Sequence, residues 1–129
     1  MLLFCAVTAH AQLAVTVSPV KITGQKAVVL LAMTNNLAVS VDSARAICFL
    51  LDDQGNLLGQ SSRWVIGGTK DRPPLEPKSG TVFNFVITSR QPFNTTNLTA
   101  RTSFGSIVLA GQKIANPKTE VRIEGMGHN

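Results

Sequence analysis

Nucleophilic catalysis needs a base beside the nucleophile, most often histidine, and this chain of 129 residues holds two histidines, His10 and His128. His10 falls in an apolar opening stretch and His128 in a short polar tail, so neither a Ser-His-Asp nor a Cys-His arrangement is expected. A structural zinc site is not expected either, since no Cys or His residues recur at ligand spacing. Paired carboxylates are the remaining route to acid–base or cation chemistry, and Asp52-Asp53 is the adjacent pair. It opens Asp52-Asp53-Gln54-Gly55-Asn56, a hairpin signal in which Asp side chains bond nearby backbone amides. Turn chemistry is therefore the reading of this pair. A weak cation site is the alternative, although calcium asks for more oxygen ligands than the pair supplies. Asp71, Glu76, Glu120 and Glu124 stand apart in loops and near the end. Gly24, Gly55, Gly67 and Gly68 precede no helix and so form no phosphate-binding loop. No catalytic residue, metal or cofactor is expected.

The two cysteines lead in different directions. Cys48 lies in the unbroken apolar run Ala46-Ile47-Cys48-Phe49-Leu50-Leu51 and is expected to be a buried, inert thiol. Cys5 belongs to the opening stretch. Met1 to Ala9 is nearly all apolar, and Ala9-His10-Ala11 has the small-x-small form that signal peptidase cuts. Cleavage between Ala11 and Gln12 would make Gln12 the first mature residue. Residues 1–11 are short for a whole signal and carry no basic start, so they are read as the remnant of a secretory signal. A hydrophobic lead-in to a first strand is the alternative. Phe4 stands where a lipoprotein signal needs a small residue before its cysteine. No later stretch is long and apolar enough to span a membrane, and the expected location is periplasmic or secreted.

Twelve Lys and Arg against seven acids give a formal charge of +5. The cations are spread along the chain without a run, and no aromatic ladder lies between them on which bases could stack. Nucleic acid is therefore not an expected partner. Asn94-Thr95-Thr96 and Asn97-Leu98-Thr99 have the form of glycosylation sequons and are read as polar loop residues.

The elements between these residues read as strands. Leu13 to Ile22 alternates but is interrupted by Pro19, as an edge strand or bulge allows. Ala27 to Thr34 follows, then Ala44 to Leu51, then Leu57 to Ile66 after the hairpin, with Trp64 and Ile66 expected on one face and Arg63 and Val65 on the other. A proline-rich loop from Thr69 to Gly80 leads to Val82–Thr88, where Phe83, Phe85 and Ile87 alternate with polar positions such as Asn84 and Thr88. Leu98 to Ala110 contains Gly105, which marks a bulge or break. Glu120 to Ile123 adds a short edge strand, and residues 125–129 are expected to be a flexible tail. No crossover helices appear, which excludes a parallel α/β fold. The expectation is an all-β, immunoglobulin-like antiparallel β-sandwich of about seven strands over residues 12–124. A small β-barrel is the alternative, and the long proline-rich loop, suited to a crossing between sheets, favours the sandwich.

An Asn-rich turn, an apolar strand ending in Asp52-Asp53-Gln54-Gly55-Asn56, a return strand, the Leu75-Glu76-Pro77 turn and Phe83-Asn84-Phe85 together resemble bacterial immunoglobulin-like domains, and most nearly the FxLYD-type extracytoplasmic modules. The resemblance covers about Val28 to Ile87. Phe49-Leu50-Leu51-Asp52 stands at the aromatic-rich motif and lacks its tyrosine. What the resemblance implies is an accessory or interaction module outside the cytoplasm.

Ala27 to Met33 and Ala46 to Leu51 are apolar at every position, whereas a two-layer sandwich covers one face of each sheet. Something must cover the other face: a segment of the same chain, or another protein. The candidate interaction face is Val28, Leu30, Ala46, Cys48 and Leu50, serving self-association or a protein partner. A non-enzymatic interaction or assembly module is the leading reading. Binding of an anionic polymer such as cell-wall glycan, carried by the net positive charge, is the other.

Overall fold

A chain of β-branched and leucine-rich runs separated by Gly, Pro and Asn can satisfy its backbone groups only by pairing strands, and the fold follows that constraint. The computed structural model describes residues 11–90, 92–93, 97–124 and 127–128. Among these residues are ten strands: β1 (Leu13–Val17), β2 (Lys21–Thr23), β3 (Lys26–Asn35), β4 (Val41–Leu51), β5 (Leu57–Ile66), β6 (Gly80–Thr88), β7 (Thr99–Leu109), β8 (Lys113–Ile114), β9 (Val121–Glu124) and β10 (Gly127–His128). One four-residue helix, α1 (Pro117–Glu120), is capped by the Asn116 side chain. Seven of the strands are four residues or longer, which is the number the sequence implies.

They form two sheets, not a closed barrel. In the first, β3 is central: β6 pairs one edge of it, β1 and β2 pair the other, and β9 runs parallel to β1. In the second, β4 lies between β5 and β7, while β8 and β10 pair with β7. The chain changes sheets between β3 and β4, again through residues 67–79 and again between β6 and β7. The proline-rich loop is thus a crossing, as its composition implies. Pro19 sits in the break between β1 and β2. Gly105 is a bulge: Arg45 pairs with Ser106 and Ala46 with Phe104, leaving Gly105 unopposed. A second register shift, between Ala44 and Arg45 against β5, breaks the alternation expected there. Val65 and Ile66 are both buried, and Trp64 lies half-buried with the Arg45 guanidinium 5.5 Å from its ring.

The core lies between the sheets and is one continuous cluster. β3 gives it Ala27, Val29, Leu31 and Met33, β4 gives Ala44, Ala46, Cys48 and Leu50, and β6 gives Phe85 and Ile87. Its one buried polar side chain among the described residues is Asn35, at the end of β3. Asn35 Nδ2 donates to the carbonyls of Val39 at 3.0 Å and Leu75 at 2.9 Å, and its Oδ1 accepts from the Leu37 N–H at 2.9 Å. Its backbone N–H donates to the Ser79 carbonyl and its carbonyl accepts from the Lys78 N–H at 2.6 Å. Val41 and Leu75 exchange two backbone hydrogen bonds of 2.9 Å beside it. Two of the sheet crossings are thereby tied to one residue. The turn Glu76-Pro77-Lys78-Ser79 that delivers these groups closes with a bond from the Ser79 N–H to the Glu76 carbonyl, Lys78 taking a positive φ of 65°. At the other end of the crossing, Gly67 has φ +54°, and a Cβ there would collide with the Asp42 carbonyl. No other residue type fits.

Asn35→Leu keeps the volume but strands the Val39 carbonyl and the Leu37 N–H and leaves the Leu75 carbonyl with its bond from Val41 alone, a polar group buried without a partner costing about 1–3 kcal/mol. Urea denaturation should show a loss of about 3 kcal/mol or more, whereas Asn36→Leu at the exposed neighbouring position should stay within about 0.5 kcal/mol of wild type.

Candidate functional site

The residues with chemical potential are placed apart. Asp52 Oδ1 accepts from the backbone N–H groups of Gln54 at 2.9 Å and Asn56 at 2.8 Å, and Oδ2 accepts from Asn56 Nδ2 at 3.1 Å. These bonds, led by that from the Asn56 N–H, hold its carboxyl below the ordinary value of 3.8. Its lone pairs serve the turn, with Gly55 at φ +82°, and Asp53 is exposed beside it. Among the described residues no three His, Cys, Asp or Glu side chains gather closely enough to hold a metal ion. Cys48 is wholly buried, and desolvation pushes its thiol up to about 11 against a smaller opposing effect of the Thr102 hydroxyl. A thiol so disposed is unreactive as a nucleophile at neutral pH. Arg122 and Glu124 form an ion pair of 3.0 Å on the surface of β9.

Residues 1–10 and the Asn94 sequon lie outside the described residues, and Asn97 is exposed. Ala11 is exposed just ahead of β1. Gln12 binds back onto the fold, its Nε2 donating to the Thr119 carbonyl at 2.8 Å. The segment expected to be a loose tail contributes β10, whose Gly127 and His128 pair with Ala100 and Thr99.

The five residues of the expected interaction face do not share a face. Val28 and Leu30 do turn outward from β3, and Leu30 is 36% exposed. Ala46, Cys48 and Leu50 are the inward residues of β4, each fully buried. The outward ones are Ile47, Phe49 and Leu51, half-buried between Ser62, Gln60 and Leu57 of β5 and Ser103, Arg101 and Thr99 of β7. The correction has a simple cause. In a strand that is apolar throughout, hydrophobicity carries no parity, and a shift of one residue exchanges the faces.

The outer surface of the first sheet carries exposed apolar side chains along the β3–β6 ladder. Val28 pairs with Val86, Leu30 with Asn84 and Ala32 with Val82 across the β3–β6 ladder. Val82 is 61% exposed and Val86 47%. Alternation around Phe83 and Phe85 could have revealed these two valines, because they occupy the solvent-facing positions of a strand whose inward positions are aromatic. Phe83 and Phe85 pack edge to face at 5.0 Å, and the Arg72 guanidinium covers Phe83 at 4.7 Å. Arg72 comes from the proline-rich crossing and shields the inward ring, leaving the outward valines bare.

Among the described residues, hollows of about 280, 280 and 240 Å³ open on the surface. One cation lines each: Arg122 with Glu124 in the first, Lys118 in the second, Arg72 with Glu76 in the third. None gathers the positive charge that an anionic polymer would require.

No protein-family model matches the chain, and no curated protein matches it. Solved structures do. A Bordetella pertussis protein given the name ApaA superposes with a TM-score of 0.52 at 15% identity, covering 77% of this chain and 88% of that one. The Northeast Structural Genomics Consortium target SoR45 superposes with a TM-score of 0.56 at 10% identity, over 86% of this chain and 82% of its own. What they share with this chain is an all-β fold. A β-glucuronidase of glycoside hydrolase family 2 matches 74% of this chain at 10% identity and a TM-score of 0.50, but over 12% of its own length. At these identities the likeness concerns the fold alone. Among the described residues no helix is long and apolar enough to cross a membrane.

The lowered Asp52 carboxyl has a consequence for stability. A carboxylate whose folded value lies below its unfolded one stabilises the fold above the unfolded value, and that contribution disappears as pH falls through the folded value. Asp52→Asn keeps an oxygen acceptor for the turn but cannot titrate. Thermal melts from pH 7 downward should therefore show a shallower loss of stability in the variant than in wild type once pH falls below about 4.

Proposed function

We propose that the chain is a non-enzymatic interaction or assembly module working outside the cytoplasm, a sandwich of the immunoglobulin-like, FxLYD-type kind, which docks through the outer face of the β3/β6 sheet. One observation carries this reading. Val82, Val86 and Leu30 stand exposed as a contiguous apolar group on regular strands, with Val28 and Ala32 beside them, where a free sandwich would carry polar side chains. Support for export comes from the Ala9-His10-Ala11 pattern and from its position, since cleavage before Gln12 would leave every strand intact. Among the described residues the carboxylates and cysteine gather in no group of three, which agrees with a role in binding. The separated cations in the three hollows favour a protein partner over an anionic polymer.

The test is a crosslinking capture with the purified chain as bait against envelope extract. Wild type should enrich a defined set of proteins, and Val82→Glu/Val86→Glu should lose that set while keeping the wild-type melting temperature. Equal recovery by both baits would overturn the assignment of this face.

A further inference from the structure

The partner of this face can be read from its edge. β6 pairs with β3 along one side, and among the described residues no strand pairs with its other side. The hydrogen bonds at the two ends of the ladder, from the Ser89 N–H to the Gln25 carbonyl and from the Asn35 N–H to the Ser79 carbonyl, fix its phase. Thr81, Phe83, Phe85 and Ile87 turn their backbone groups toward β3. Val82, Asn84 and Val86 therefore turn theirs to the open side, where their N–H and C=O groups await a strand.

Natural sandwiches blunt such edges with lysine, proline, a bulge or a very short strand. β6 has none of these: it is nine residues long, Gly80 to Thr88, in unbroken register with β3 and without a charge. Its centre is also symmetric. Val82-Phe83-Asn84-Phe85-Val86 reads the same in both directions. An antiparallel strand pair about a two-fold axis matches each residue with its mirror position, so a palindrome centred on a residue whose backbone faces outward is self-complementary. Asn84 is that residue.

We infer that the partner is a second copy of this chain, joined edge to edge through β6 in a two-fold antiparallel pair centred on Asn84. Asn84 then faces its twin as a hydrogen-bonded pair, and Val82 faces Val86 of the second copy on the outer surface. The two first sheets become one continuous sheet, on which the row Val28–Val86 of one copy runs on into Val82–Ala32 of the other. The Arg72 guanidinium stays on the inner side, over Phe83, and puts no charge on the outer surface. This deepens the interaction reading above and rests on it through the shared valines. A single strand pair makes a small interface, so the association is expected at micromolar concentration or weaker.

Sedimentation velocity and oxidative crosslinking test it, using the full chain in a Cys5→Ser background so that Cys48, which is buried, is the remaining native thiol. Mass should rise from one copy toward two between ~5 and ~500 μM. Val86→Lys, at an exposed position, should weaken association about tenfold or more without changing the melting temperature. Paired Cα atoms at such a position lie about 5.5 Å apart, within disulfide reach. Asn84→Cys should therefore form a disulfide with itself. Val82→Cys and Val86→Cys should each fail alone and crosslink when mixed. A monomer throughout the range, or a dimer indifferent to Val86→Lys that leaves Asn84→Cys uncrosslinked, would overturn the inference. Neither result touches the interaction reading, which stands or falls with the Glu variants in the capture experiment.

Discussion

A fully buried carboxamide at one end of an apolar core is the constraint on which the rest of this sandwich depends. Asn35 ends the central strand of the first sheet, and from there five hydrogen bonds reach the turn after β3 and the far end of the proline-rich crossing. An amide supplies two donors and an acceptor at one point, and here each finds a backbone partner: the carbonyls of Val39 and Leu75 and the N–H of Leu37. The Val41–Leu75 bridge extends the same tie into β4. The position of β6 follows, because the crossing that Asn35 anchors is the segment that delivers it. With β6 laid along β3 and the crossing folded back beneath it, Arg72 comes to rest on Phe83 and the outer valines are left open.

Packing and interaction surface are thus two sides of the same strands. β3 places Ala27, Val29, Leu31 and Met33 in the core and presents Val28, Leu30 and Ala32 outward. β4 does likewise, but its outward Ile47, Phe49 and Leu51 are flanked on both sides by the paired residues of β5 and β7 and stay half-buried. The difference lies in the neighbours. β4 has a partner strand at each edge along its length, while among the described residues β6 is itself an edge, and no second strand there covers its valines.

Much of the architecture was legible in the sequence because its signals are local. The Asp52–Asn56 hairpin, the break at Pro19, the bulge at Gly105 and the inward set Phe83, Phe85 and Ile87 depend on turn chemistry and period-two alternation, which neighbouring residues determine. The excess of apolar faces was legible too. Which residues formed the faces of β4 was not, because Ala46 to Leu51 carries no alternation and parity is set by register against β5 and β7. The Asn35 network was hidden for a related reason. A turn-forming Asn-Asn pair looks alike whether its side chains meet water or, as with Asn35, carbonyls forty residues away. The exposed valines were hidden behind the polar residues that share their face.

Native-state hydrogen exchange tests the anchoring role of Asn35 most directly. The amides of Leu37, Leu75 and Lys78, which bond to Asn35 or sit beside it, should exchange only as slowly as the core amides of β3, because releasing them would expose the buried carboxamide and open the sandwich. Exchange of these three amides at the rate of exposed loops, with β3 still protected, would show that the crossing opens on its own and would contradict the account.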